Sequence, residues 1–114
     1  MKHSFPVSRR LRRKEDFSAL RSGHRIQGRL LVLVYRKNNV GFPRLGMAVS
    51  RKFGSAVARN RLKRLIREQF RLRQHELPAC DILIFPRRHA DIQSDFIHDL
   101  DVLFSRLSDR LRGV

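Results

Sequence analysis

At 114 residues the chain is long enough for one compact domain and short for two, and its 41% apolar content excludes a wholly disordered tail. Twenty-six Lys and Arg against ten Asp and Glu leave a net charge of +16, a self-repulsion that a polyanion relieves; nucleic acid is the leading partner class and an anionic membrane surface the rival. The longest apolar run, residues 30–35, falls far below the ~20 residues of a bilayer span, and a single cysteine, Cys80, excludes an internal disulfide or a multi-cysteine zinc site.

In chain order, residues 1–12 lack apolar periodicity and contain Pro6, which reads as a flexible basic arm of a single domain 1–114. The arm has no apolar stretch of the secretion-signal kind, so a cytoplasmic location is expected. Residues 14–22 are expected to form a short helix, with Glu15 and Asp16 in its first turn, Phe17 and Leu20 on its apolar side and Gly23 stopping it. Residues 29–36 are β-branched and aromatic and predict a strand, with Leu31, Leu33 and Tyr35 on one face and Leu30, Val32 and Val34 on the other. Residues 37–43 are a turn by their Asn, Gly and Pro content, and 44–50 a second strand. After a loop at 51–55, helical spacing runs from Ala56 to about Gln74, where Ala58, Leu62, Leu65, Ile66, Gln69 and Leu72 share an apolar arc. Residues 81–86 predict a strand with both faces covered. A last helix, about 95–111 with Ser94 as N-cap, buries Phe96, Ile97, Leu100, Leu103, Phe104 and Leu107. The expected order is α-β-β-α-β-α, an α/β (α+β) sandwich.

The basic charge is not evenly spread. Residues 50–74 carry nine basic groups against one acid, whereas residues 75–114 carry five against seven. On the long helix Asn60, Lys63, Arg64, Arg67, Arg71 and Gln74 fall within about 100° of arc opposite the apolar residues. Forked guanidinium donors and a lysine charge, repeated along a rigid rod, suit phosphate oxygens. A solvated helix face usually mixes signs to gain i,i+4 pairs, and here Glu68 is the one acid and lies off the stripe. Arg51, Lys52, Gly54 and Ser55 precede the helix, placing charge at its free N–H groups.

These residues also carry a resemblance. The run 45–70, with Arg59-Asn60-Arg61 continued by Lys63, Arg64 and Arg67, resembles the signature of the bacterial ribonuclease P protein family. Leu11 to Phe17 resembles the way that family's basic arm leads into its first helix, and the likeness covers essentially the whole chain. It implies a ribosomal protein S5 domain 2-like fold, with a left-handed β-α-β crossover. It implies two partners, a catalytic RNA and the 5′ leader of precursor transfer RNA, with no membrane. It implies that the RNA cleaves the phosphodiester with divalent metal, magnesium, that this chain does not bind alone. RNA-binding residues would then be Arg51, Lys52, Arg59, Asn60, Arg61, Lys63, Arg64, Arg67 and Arg71. A cleft between the first helix and the sheet would hold the leader, with Phe17 and Tyr35 stacking on bases and Arg13, Arg36 and Lys37 beside them.

The residues read alone agree that no catalytic site is expected here. Metal-assisted phosphoryl transfer on protein needs clustered carboxylates, and the acids of the basic region form no close cluster. His3, His24, His75, His89 and His98 show no ligand spacing with one another or with Cys80, which reads as a small buried hydrophobe. Composition fits a basic ribosomal protein with a structural rRNA-binding role equally well, and residues 51–67 separate the two. A DNA-binding regulator is disfavoured because the helix face is almost all Arg and Lys, with little variety for reading bases.

Overall fold

A computed structural model describes residues 10, 11, 20, 22–90 and 95–112 of the chain. Most of the expected arm and of the helix at 14–22 lies outside the described residues. Among the described residues four strands form one sheet: β1 (His24–Gln27), β2 (Leu31–Lys37), β3 (Arg44–Met47) and β4 (Cys80–Pro86), in the order β1-β2-β4-β3. Among the described residues the long helices are α1 (Ala56–Arg73) and α2 (Phe96–Leu111). β2 pairs antiparallel with β1 and β4, and β3 pairs parallel with β4, its connection running through α1. The α+β sandwich expected from sequence is the fold observed.

β1 is absent from the expected order. Three of its four residues are exposed and only Ile26 is buried, so it carries no apolar run; pairing with β2 makes it a strand. Alternation along β2 divides two cores. Leu31, Leu33 and Tyr35 join Ile26, Leu45, Ile82 and Ile84 under the helices, where Leu62, Ile66 and Phe70 of α1 meet Leu100, Leu103, Phe104 and Leu107 of α2. Val32 and Val34 face the other way, toward Leu11 and Leu20, with Leu83 and Phe85 only half-buried beside them. The second face of β4 is therefore less covered than its apolar run implies.

Two buried carboxylates clamp the framework. Asp81 accepts from both Nε and Nη2 of Arg44, at 2.8 and 2.9 Å, and from Asn38 Nδ2 at 2.8 Å, fixing the loop before β3 to β4. Asp99 of α2 accepts from the backbone N–H groups of Arg29, Leu30 and Leu31, at 2.9, 3.1 and 2.9 Å, and so ties that helix to the β1–β2 turn. A Cβ on Gly28 would stand 2.5 Å from Asp99 Oδ2, so this turn needs glycine for the approach. Arg10 and Leu11 lie along the free edge of β3: Leu11 N–H donates to Leu45 O at 2.7 Å. In α2 the N-cap is Asp95, whose side chain accepts from His98 N; Ser94, expected there from sequence, lies outside the described residues.

Candidate nucleic-acid interface

α1 starts at Ser55, whose side chain accepts from Ala58 N at 3.2 Å, and ends where the chain tightens into a turn at Gln74–Glu76. Its buried residues are Leu62, Ile66 and Phe70, one every four positions. The apolar arc read from sequence omits Phe70 and includes Leu72, which is 46% exposed. The helix is rotated toward Phe70 because that ring packs on Phe104 of α2, with centroids 6.4 Å apart.

The rotation redraws the basic stripe. Gln74, expected on it, is buried, its Nε2 donating to Arg71 O, and Lys63 sits half-buried at its margin. Arg59 is half-buried too, its Nε donating to Ser55 O. Asn60, Arg61, Arg64 and Arg71 are exposed, and Arg67 is half-buried. They line two neighbouring hollows. In one, of about 430 Å³, Asn60, Arg61, Arg64 and Arg67 surround Val57. In the other, of about 310 Å³, Arg64, Arg67 and Arg71 are joined by Arg10 from the β3 edge. Among the described residues Glu68 is the sole acid lining either hollow. Among the described residues no carboxylate pairs with Arg61, Arg64, Arg67 or Arg71. Guanidinium groups crowded without counter-ions favour an incoming polyanion and supply directed donors to it. Arg10 could not be assigned to this surface from sequence, since only the fold carries it to the helix.

Arg51 and Lys52 are exposed in a short turn, Arg51–Phe53, ahead of α1. Lys52 lines a hollow of about 350 Å³ with Phe53, Arg87 and Arg88, two arginines whose place sequence reasoning missed. They arrive there because β3 and β4 run parallel and send their following loops to the same end of the sheet.

Of the residues expected at the leader cleft, Arg13 and Phe17 lie outside the described residues. Tyr35 is 7% exposed and faces the helices, on the side of the sheet opposite Leu20; its ring packs on His24 at 5.3 Å. Tyr35, expected to stack on a leader base beside Phe17, thus lies on the face turned away from Leu20. Arg36 and Lys37 are both exposed at the end of β2. By alternation Arg36 follows Val32 and Val34 onto the Leu20 side and Lys37 follows Tyr35 onto the other. Among the described residues the ring on the Leu20 side is Phe85, half-buried, with the Arg25 guanidinium carbon 5.9 Å from its centroid. The apolar run at residues 81–86 reads as a strand with both faces covered and gives no signal that the face of Phe85 is partly open.

The chain's one cysteine is not placed as a nucleophile. Cys80 is fully buried, and burial first, then the Asp81 carboxylate, pushes its thiol up to about 12. The buried acids Asp81 and Asp99 are occupied by the structural bonds above. Among the described residues no group of three His, Cys, Asp or Glu side chains could hold a metal ion.

Comparison with known proteins places the chain in a family. The pattern of the family described as Ribonuclease P matches residues 5–108. The chain is 39% identical over 117 aligned positions to the ribonuclease P protein component of Aliivibrio salmonicida, covering 99% of this chain and 100% of that one. It is 41% identical over 90 positions to the Thermotoga maritima component, covering 77% of each. Among solved structures, the Staphylococcus aureus RNase P protein superposes with a TM-score of 0.79 at 29% identity, covering 87% of this chain and 96% of that one. The Thermotoga maritima RNase P protein, solved with a fluorophenyl thiourea, superposes with a TM-score of 0.76 at 36% identity, covering 86% and 96%.

Proposed function

Because the chain belongs to the ribonuclease P protein family, components of an endoribonuclease that matures transfer RNA at its 5′ end, we propose that it contributes by binding RNA and not by cutting it. The observation that carries this reading is the solvent-facing side of α1, where Arg61, Arg64, Arg67 and Arg71 have no acidic partner among the described residues and Arg10 lies beside them. That face, with Arg51, Lys52, Arg59, Asn60 and Lys63 around it, docks the RNA subunit through its phosphates. The cleaving centre then belongs to the RNA, with magnesium held by RNA oxygens. The protein's residues position and charge-neutralise the strands. No helix of the described residues is long and apolar enough to cross a membrane, and we place the protein with its RNA partner in the cytoplasm.

The leader of the precursor is assigned to the Leu20 side of the sheet. There Arg36 offers charge, and Phe85 a half-open ring with Arg25 beside it, the pairing of aromatic face and cation that grips single strands. Phe85→Leu keeps the apolar packing and removes the stacking face. Losing one stacked base costs ~1–3 kcal/mol, so precursor with a leader should bind the assembled holoenzyme roughly 5- to 150-fold more weakly. Mature transfer RNA, which has no leader, should bind as before; equal losses for both ligands would remove Phe85 from the leader path.

Salt provides the test of the main reading. Contact with about six phosphates should make log affinity for the RNA subunit fall against log salt with a slope of about −4 to −5, because each neutralised phosphate releases counterions. A slope near zero would show that the charge of +16 is not used on RNA.

A further inference from the structure

We propose that the hollow around Val57 takes one unpaired adenine of the RNA subunit, the base lying on the valine and its edge read by the side-chain amide of Asn60. This inference rests on the docking of that RNA by α1 and goes beyond it: phosphate contacts hold a strand of any sequence, whereas this hollow recognises a base.

Val57 performs no packing task among the described residues. It is 74% exposed, the most open of their large apolar side chains, and belongs to neither apolar core. Nor does it staple the start of the helix. That device pairs an apolar residue just before the N-cap with another four positions after it, and around Ser55 those places hold Gly54 and Arg59. A β-branched residue there also forms helix less readily than alanine would. A lone exposed valine is ordinary on a protein surface; the neighbours set this one apart. Val57, Asn60, Arg61, Arg64 and Arg67 recur at steps of three or four, which puts them on one side of α1, away from buried Leu62, Ile66 and Phe70. All five line one hollow of about 430 Å³, inside the roughly 300–1,000 Å³ range of small-ligand sites.

The two hollows on this face differ in what they offer. Arg64 and Arg67 border both, but the one that Arg10 joins is lined by charged side chains alone, which suits a phosphate. The hollow at Val57 adds an apolar floor and a neutral amide, and a phosphate has no use for the floor. Asn60 is exposed, and its amide makes no hydrogen bond among the described residues. An amide donates one hydrogen bond and accepts another side by side, which matches the N6–H donor and ring-nitrogen acceptor of adenine. An unpaired base leaves that edge open and seats its flat face on apolar side chains. The aliphatic stems of the arginines around Val57 widen the floor, while their guanidinium groups reach the flanking phosphates.

Val57→Ala tests this without endangering the fold, because the side chain is not packed and alanine is the better helix former. Affinity of the full-length protein for the RNA subunit should fall about 5- to 15-fold, the effect of two methyl groups no longer buried. The factor should be the same at every salt concentration, because no phosphate contact is lost. Asn60→Ala should act in the same way. In the wild-type complex one adenine of the RNA should be protected at N1 from dimethyl sulfate or at N7 from diethyl pyrocarbonate. It should regain reactivity with either variant at saturating protein. Replacing that adenine by uridine should weaken the wild-type complex by a similar factor and the Val57→Ala complex hardly further. Unchanged affinity for Val57→Ala, an altered salt slope, or no adenine whose protection depends on Val57 would each overturn the proposal. Arg64→Ala with Arg67→Ala separates the two possible failures. If that pair weakens binding and flattens the salt slope while Val57→Ala does nothing, α1 docks RNA through phosphates alone. If the pair does nothing either, α1 does not dock the RNA.

Discussion

Alanine at both Arg64 and Arg67 is expected to weaken binding of the ribonuclease P RNA by roughly 10²- to 10⁴-fold. Both side chains line both hollows on the α1 face, so the pair removes donors from the centre of the surface and not from its rim. A charge-assisted bond contributes about 1.5–3 kcal/mol, and two removed together amount to about 3–6 kcal/mol. The slope of log affinity against log salt should flatten by about 1.4–1.8, one phosphate for each cation lost. Stability should barely change, because exposed substitutions away from caps and networks stay within about 0.5 kcal/mol. Arg67, half-buried, carries the larger share of whatever packing is lost. Affinity measured at several salt concentrations, together with thermal melting of the free protein, decides the matter. A loss of affinity with an unchanged salt slope would mean the arginines act through something other than phosphates.

Asp99→Ala is expected to cost about 3–5 kcal/mol of folding stability, a large part of the 5–15 kcal/mol typical of a domain. The carboxylate is 5% exposed and receives three successive backbone N–H groups, one of them fully buried, so truncation leaves those donors facing an apolar gap. Asp99→Asn is a sharper probe. Oδ1 takes Arg29 N–H and Oδ2 takes Leu30 and Leu31 N–H, so an amide of the same shape must turn an N–H against at least one donor. It should therefore destabilise nearly as much as alanine while leaving volume intact. Urea unfolding of the three proteins checks this, and a loss below about 1 kcal/mol for either variant would show the clamp to be dispensable. Gly28→Ala should have a related effect, since its Cβ would collide with the same carboxylate.

Several features were legible in the residues because they depend on local pattern. α1 spans Ala56–Arg73, within a residue of the helical spacing read from sequence, since periodicity is a local signal. β2 and β4 follow from short runs of β-branched and apolar residues, and α2 from a spacing that its buried side reproduces, apart from Ile97, which is 51% exposed. The surplus of Arg and Lys around residues 50–74, and the run 45–70 that carries the family likeness, are properties of composition and order alone.

The rest was decided by contacts between residues far apart in the chain. Periodicity sets that one side of α1 is buried, but the ring of Phe104 on another helix sets which side, and so moves Gln74 off the stripe and Arg61 onto it. His24–Gln27 is polar at three of four positions and becomes a strand only because β2 offers it an edge. Parity puts Tyr35 on one face with Leu31 and Leu33, but only the packed helices make that the covered face, while Phe85, read as covered, stands half-open on the other. The charge of this protein and the helix that displays it are thus written in the sequence, because both are sums over neighbours. Which cations meet around a common hollow depends on the packing of Phe70 on Phe104 and the pairing of Arg10 with β3, and only the assembled sheet and helices bring those residues together.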